Sequence, residues 1–230
     1  MQQDEDHTQP LFNALPPAVV ALALAIFGVE LVISAGQQGL AGGAGGVGWR
    51  VQAIRDFAYP GGLLDWVIQN HAWTSPELHR FVTYPFVHLS FTHALFVVVF
   101  LLALGKMVGE VFGNLAVLVI FFVSAIFGAV IYDGLAGSAQ ALVGGYPAVY
   151  GLIGAYSFLL WVHYGVRGEN QIRAFSLIGF LLGIQLLFGL IFGGSRDWVA
   201  DVSGFVMGFA LAPMLAPGAA RRLLDKLRQR

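Results

Sequence analysis

The sequence predicts an all-α membrane protein: a bundle of six transmembrane helices with a long structured loop between helices 1 and 2. Of its 230 residues, 57% are hydrophobic and 11% are charged. A soluble domain carries about 25% charged residues, so this composition indicates a chain that lies largely in a lipid bilayer. The apolar residues fall into stretches of about 20, the length that a spanning helix needs. These stretches are residues 17–35, 91–108, 115–135, 147–164, 174–193 and 198–217.

The segments between and beyond these stretches complete the expected organisation. Residues 1–15 form a polar tail, residues 16–217 the membrane domain, and residues 218–230 a basic tail. The connection at residues 36–90 is too long to be structureless in a compact domain. Within it, Thr74 and Glu77 have the spacing of a capping box, which predicts a short helix at that point.

Lysine and arginine are unevenly distributed between the two sides that six spans define. The side that holds both termini carries eight of the twelve basic residues. They are Lys106, Arg167, Arg173, Arg221, Arg222, Lys226, Arg228 and Arg230. Excess lysine and arginine mark the cytoplasmic side of a membrane. We therefore expect a multi-pass protein of a bacterial-type inner membrane, with both termini in the cytoplasm.

The composition gives no support to several other classes of function. The formal net charge of −1 provides no reason to expect binding to nucleic acid. The absence of cysteine excludes disulfides and thiolate metal sites. His88 and His93 are five residues apart, so they do not stack on one helical face as residues three or four apart would. We expect neither a metal site nor a cofactor.

The stretch Gly144-Gly145-Tyr146-Pro147 interrupts the apolar part of the chain. Proline suits the first turn of a helix, because its missing N–H would have no partner there. We therefore expect a loop to end and a helix to begin at Tyr146, with Gly151 and Ala155 on one face of that helix. Irregular backbone at membrane depth is tolerated only where it is buried in protein or lines a wet cavity, so this is the predicted place of a site.

Several polar residues lie inside apolar stretches, among them Glu30, Asp133 and Gln185. Ionisable groups in transmembrane segments are energetically expensive and are candidates for function. We expect Glu30 to face the bundle and to have hydrogen-bond partners there. We expect Asp133 to be exposed at the end of a helix.

Three local patterns between residues 78 and 213 occur together. The first, at residues 79–93, contains Arg80 and His93; the second is residues 144–155; the third is residues 200–208. In this order and on these predicted helices, the patterns resemble those of the rhomboid family of six-helix intramembrane serine proteases. The resemblance implies a rhomboid fold, and it implies that the family's serine and histidine would stand at positions 146 and 201.

The chain departs from the family at the positions that carry catalysis. Tyr146 stands at the position of the nucleophilic serine, and Pro147 replaces the glycine that follows it. Asp201 stands at the position of the general-base histidine. Val97 stands where an asparagine usually stabilises the oxyanion, and of these catalytic positions only His93 matches the family. The resemblance therefore implies the fold but an incomplete, degenerate dyad.

Peptide hydrolysis requires a nucleophile, a base in reach of its proton, and donors where the oxyanion forms. Tyrosine is a poor replacement for serine, because a phenolate with a pKa of about 10 is a good leaving group. An aspartate is a weak base, and the Val97 side chain offers no hydrogen. These substitutions leave no evident route for the reaction.

The leading hypothesis is a rhomboid-like pseudoprotease that binds transmembrane segments of client proteins without cutting them. The lipid bilayer and such clients are its expected partners. The residues expected to shape its loop, its client-binding surface or its helix packing are Arg80, Gly144, Gly145, Pro147, Gly151, Gly204 and Gly208. Two alternatives stay open: an active intramembrane serine endopeptidase, and a small transporter suggested by Glu30 and Asp201. Transporters often show paired broken helices in two similar halves, and the sequence shows no such repeat.

The resemblance also predicts a specific contact between the two degenerate positions. Because it brings the dyad positions together, the Tyr146 hydroxyl is expected to donate a hydrogen bond to the Asp201 carboxylate. A charge-assisted bond of this kind contributes about 1.5–3 kcal/mol. It would turn a catalytic contact into a structural latch.

Overall fold

The computed structural model describes residues 14–136, 140–192, 196–216 and 218, and that part of the chain is helical and contains no β-strand. In chain order its α-helices are α1 (Pro17–Gln37), α2 (Gly43–Gly46), α3 (Trp49–Phe57), α4 (Leu63–Gln69), α5 (Arg80–Thr83), α6 (Phe91–Phe112), α7 (Asn114–Ala136), α8 (Tyr146–Val166), α9 (Ser176–Phe192) and α10 (Trp198–Leu215). Short 3₁₀ helices lie at Pro76–His79, Tyr84–Phe86 and Gln171–Phe175. The predicted all-α fold class is confirmed.

Within the residues that the structure describes, five helices, α1, α6, α7, α8 and α10, are long and apolar enough to cross a membrane. The stretch predicted as the fifth span forms α9, which has 17 residues and follows the 3₁₀ helix Gln171–Phe175. These apolar helices indicate a multi-pass protein that lies in a lipid bilayer. The tails predicted at residues 1–15 and 218–230 lie almost wholly outside the described residues.

The centre of the bundle is formed by α7, α8 and α10, and the most extensive helix contact joins α8 to α10. Small residues permit this contact. A Cβ atom built on Gly204 would meet the backbone of Pro147, and one built on Gly208 would lie 2.6 Å from the Cα atom of Gly151. The two backbones therefore touch where α8 and α10 cross, as small residues in membrane helices allow.

A tight turn at Gly113 reverses the chain between α6 and α7. Gly113 has a φ of +86°, a left-handed conformation that favours glycine. The next residue, Asn114, accepts a hydrogen bond from the N–H of Ala18 at 3.1 Å and so satisfies a free donor at the start of α1. We call the opposite end of the bundle, where α7 ends and α8 and α10 begin, the loop end.

Asp133 fixes the long connection to the loop end of α7. Its carboxylate accepts hydrogen bonds from the Tyr59 hydroxyl at 2.6 Å and from the N–H groups of Gly62 and Leu64 at 2.6 and 2.9 Å. Asp133 is 7% exposed, so the expectation that it is exposed at a helix end is wrong. It serves instead as a cap for the first turn of α4, because that turn has N–H groups without helical partners.

Glu30 anchors the same connection from α1. Both of its carboxylate oxygens accept hydrogen bonds from the Arg50 guanidinium, at 2.7 and 3.1 Å. Arg50 also donates to the carbonyl of His88 at 2.7 Å. Glu30 is 1% exposed, so it faces the bundle with partners, as expected. Removing one member of such a buried pair costs about 3–5 kcal/mol.

The short helix expected after Thr74 is present as the 3₁₀ helix Pro76–His79. Its cap is Ser75, whose hydroxyl accepts a hydrogen bond from the N–H of Glu77 at 3.2 Å. The cap therefore lies one residue later than the capping-box spacing indicated, because the proline after Ser75 already supplies a first-turn residue.

Candidate functional site

The broken stretch before α8 approaches two histidines at the loop end. Gly144 has a φ of +96°, and a Cβ atom at this position would lie 2.6 Å from the His93 ring. The helix begins at Tyr146, as the sequence predicts, with Pro147 in its first turn. Only a glycine at 144 allows both the left-handed turn and the close approach of His93.

The Tyr146 ring stacks on His93. The ring centroids are 5.0 Å apart and the planes differ by 20°. The His88 ring lies edge-on to the His93 ring, and their centroids are 5.0 Å apart. The Nε2 atom of His93 is buried and has no hydrogen-bond partner among the described residues. The position expected for the nucleophile thus carries an aromatic ring that stacks on a second aromatic ring.

Asp201 is buried in the first turns of α10, with 3% of its surface exposed. Its Oδ2 atom accepts a hydrogen bond from the Nε2 atom of Gln185, on α9, at 2.9 Å. Within the described chain no hydrogen bond joins the Tyr146 hydroxyl to this carboxylate, so the predicted latch is wrong. The Tyr146 ring instead stacks on His93, and the described side-chain partner of the carboxylate is Gln185.

Three positions beside this site, Val97, Gly145 and Pro147, offer no free donor to an oxyanion, which leaves the unpartnered Nε2 atom of His93 as a donor there. The Val97 side chain is fully buried and lies beside Gly145, where a Cβ atom would be 2.8 Å from its Cγ1. The N–H of Gly145 already donates to Nε2 of His88 at 3.3 Å. Pro147 has no N–H. His88 is therefore a residue of this site that sequence reasoning treated only as an ordinary histidine.

Two adjoining cavities meet at Tyr146, Gln185 and Asp201. One has a volume of about 200 Å³, and its remaining lining is apolar or aromatic. Those remaining residues are Phe100, Val149, Tyr150, Ile153, Leu181 and Ile184. The other has a volume of about 290 Å³ and is more polar, with Ser90, Thr92, His93 and Asp197 in its wall. The two positions expected for the dyad, Tyr146 and Asp201, thus lie between an apolar and a polar space.

The remaining residues singled out in the sequence have other surroundings. Arg80 donates to the carbonyls of Arg55 and Ala58, at 2.7 and 3.0 Å, and pairs with Glu77. It holds the connection between α1 and α6 and lines neither cavity. Gly151, Gly204 and Gly208 lie at the α8–α10 contact and not in the cavity walls.

The described part of the chain contains no hydrogen-bonded pair of a serine and a histidine that could replace the expected dyad. Ser90 accepts the backbone N–H of His93 at 3.2 Å and so caps α6. Ser203 donates to the carbonyl of Val199 at 2.7 Å. Across residues 14–136, 140–192, 196–216 and 218, no serine hydroxyl is hydrogen bonded to a histidine ring, and no group of acidic and histidine residues could hold a metal ion.

The fold and this site define a multi-pass membrane protein with a candidate site buried at the loop end of a helical bundle. A Rhomboid domain model matches residues 75–218, which is more than half of the chain. The chain belongs to the rhomboid family.

Similar proteins include named proteases. The chain is 30% identical to Rhomboid-like protease 3 of Toxoplasma gondii over 140 residues, which is 61% of this chain and 52% of that protein. It is 28% identical to Rhomboid-type serine protease 2 of Emericella nidulans over 172 residues, 74% and 33% of the two chains. It is 31% identical to Rhomboid protease GlpG of Haemophilus influenzae over 139 residues, 57% and 67% of the two chains. The matches thus span from a third to two thirds of the length of these relatives.

The pKa of His88 predicts how stability depends on pH. Burial, with smaller contributions from His93 and Arg50, lowers the pKa of His88 to about 3. In the unfolded chain a histidine has a pKa of about 6.5. Below pH 6.5 the unfolded chain therefore binds a proton that the folded chain does not, and the free energy of unfolding falls by up to about 1.4 kcal/mol per pH unit.

We expect the midpoint temperature of thermal unfolding in detergent to be lower at pH 5 than at pH 7.5. Over this interval His88 lowers the free energy of unfolding by about 2 kcal/mol. The variant His88→Gln keeps an acceptor for the N–H of Gly145 but cannot titrate in this range. Its midpoint should fall less over the same interval. An identical fall in both proteins would show that His88 does not control this pH dependence.

Proposed function

We propose that this protein binds transmembrane segments of other membrane proteins and holds them without hydrolysing them. The observation that carries the proposal is the cavity between α6, α8, α9 and α10. Its walls are apolar, and its polar end contains Tyr146, Gln185 and Asp201 in place of a nucleophile and its base. An apolar side chain of such a segment can pack against these walls, since van der Waals packing drives the association of helices in a bilayer.

The helix that closes one side of the cavity is loosely attached. Among the described residues α9 contacts its neighbours much less than the other apolar helices do. Its apolar side chains Phe180 and Leu190 are 66% and 86% exposed. Helices with few packed contacts are the ones that open at low cost in free energy. Movement of α9 away from α6 would admit a segment from the bilayer.

The relatives support recognition, and the substitutions argue against cleavage. Rhomboid-like protease 3 and Rhomboid protease GlpG are named for proteolysis, an activity that requires a substrate polypeptide to reach the site. In this chain Tyr146, Asp201, Val97 and Pro147 replace the groups that the reaction needs. We propose that recognition is kept and hydrolysis is lost, in a bacterial-type inner membrane with both termini in the cytoplasm.

The transporter alternative has less support than the sequence suggested. One of its two carboxylates, Glu30, is engaged with Arg50 and lines neither of the two cavities. Such a buried pair is a structural anchor for the loop, as its contact with the His88 carbonyl indicates.

The proposal is tested by photo-crosslinking in proteoliposomes. A benzoylphenylalanine is placed at Ile184 or at Phe100, in the cavity wall, and the protein is reconstituted with a purified single-span membrane protein. A control probe replaces Leu24, which is 66% exposed on α1. We expect adducts with the single-span protein from positions 184 and 100 and far fewer from position 24. Equal yields from all three positions would show that contact is random collision in the bilayer.

A further inference from the structure

The Asp201 carboxylate has fewer hydrogen-bond donors than an ionised carboxylate can accept. Its one described side-chain partner is the amide of Gln185, whereas a carboxylate has about four acceptor positions. The Asp133 carboxylate of the same protein, also buried, receives three donors. Asp201 is thus a buried acidic group that is open to a further donor.

A second acceptor at the same place is also unsatisfied. The Oε1 atom of Gln185 is buried and has no hydrogen-bond partner in the part of the chain that the structure describes. Gln185 donates its Nε2 to Asp201, so its oxygen is the atom left over. Both side chains line both cavities. The polar end of the apolar cavity therefore presents two acceptors to whatever occupies it.

The walls of the two cavities supply no cation to meet these acceptors. Neither lining contains a lysine or an arginine among the described residues. The ionisable groups near Asp201 in these walls are Asp197, His93 and the tyrosines Tyr146 and Tyr150. The carboxylate of Asp197, the residue just before α10, adds a second negative group that favours a cation here.

We infer that the transmembrane segment held in this cavity carries a lysine or arginine side chain that donates to Asp201 and Gln185. The inference rests on the proposed function and names the class of client. A basic side chain inside a bilayer is expensive, and it pairs with an acidic group where one is available. Its aliphatic part would lie along the apolar walls while its charged end reaches the carboxylate.

The position of Asp201 fixes the depth of that basic residue. Asp201 lies three residues after Trp198, where α10 begins, which is about 5 Å along the helix axis. A partner for Asp201 must therefore lie near the loop end of the bundle and not at the bilayer midplane. In a client, the lysine belongs in the first turns of the segment at that end.

The test uses labelled single-span peptides of leucine and alanine and the full chain in nanodiscs. One peptide carries a lysine four residues from the end that faces the loop end, a second carries it at the centre, and a third has leucine at both positions. We expect the first peptide to bind at least tenfold more tightly than the other two. The preference should be lost in Asp201→Asn, which keeps the shape of the side chain, and retained in Asp65→Asn, where an exposed carboxylate of α4 is removed.

The outcomes separate this inference from the proposed function. If the three peptides bind equally well to the unmodified protein, the inference fails while client binding stands. A lysine preference that survives in Asp201→Asn would also overturn it, because the pairing would then lie elsewhere. If no peptide binds at all, the proposed function itself fails. The comparison of peptides on the unmodified protein does not depend on whether Asp201→Asn folds.

Discussion

Replacing Gly208 with leucine is expected to prevent stable folding of the bundle. A Cβ atom at this position would lie 2.5 and 2.6 Å from the backbone carbon and Cα atoms of Gly151, and backbone cannot move aside as a side chain end can. The most extensive helix contact, between α8 and α10, would have to open. Overpacking costs about 1–3 kcal/mol and occasionally more, and a leucine against backbone belongs at or above the top of that range.

The matched control is Gly183→Leu on α9, where a Cβ atom would meet nothing within 4 Å. Thermal unfolding of both variants in the same detergent, followed by tryptophan fluorescence, provides the comparison. We expect Gly183→Leu to unfold close to the unmodified protein and Gly208→Leu to be unfolded or much less stable. Equal midpoints for the two variants would contradict the close α8–α10 contact.

Restoring the family's serine and histidine at positions 146 and 201 is expected to yield little or no protease activity. Val97 still offers no oxyanion donor, Pro147 has no N–H, and the N–H of Gly145 donates to His88. Loss of one oxyanion donor alone typically costs about 100- to 1,000-fold in rate. The double variant therefore lacks the stabilisation that a serine nucleophile needs after its attack.

The informative comparison is the double variant Tyr146→Ser and Asp201→His against a quadruple variant that adds Val97→Asn and Pro147→Gly. Both are incubated in detergent with a single-span substrate that an active rhomboid protease cleaves, and the initial rates are measured. We expect the quadruple variant to be faster by about 100-fold or more, as expected for a restored donor. Equal and appreciable rates for the two would show that Val97 and Pro147 do not limit the reaction.

The sequence allowed the fold class, the apolar stretches and the start of α8 at Tyr146 to be predicted. These features depend on local composition: apolar length for the spans, and proline after two glycines for the helix start. The helix of the fifth span begins at Ser176, two residues later than predicted, because residues 171–175 form a 3₁₀ helix that begins at an Asn170 cap. Hydropathy does not distinguish such a turn from the helix that follows it.

The partners of the polar residues could not be predicted in the same way. Asp133 has a donor in Tyr59, 74 residues earlier, and an end-of-helix position alone did not reveal this. The Tyr146–Asp201 contact was inferred from the family's dyad, but a tyrosine ring is larger than a serine side chain and stacks on His93 instead. The sequence did contain a signal for the partner of Asp201. Gln185 is an amide in an apolar stretch, and such a group needs a polar partner, which the structure shows to be Asp201.

The central claim, a rhomboid fold that binds membrane segments without cutting them, is tested most directly by the mass of a bound client. The full chain is reconstituted with a single-span protein that crosslinks to position 184, and a parallel sample contains an active rhomboid protease. Intact-mass spectrometry is recorded after prolonged incubation of both. We predict an uncut client with the present protein and cleaved fragments with the protease. Fragments from the present protein, absent in its Tyr146→Phe and Asp201→Asn variants, would contradict the claim and identify it as an active enzyme.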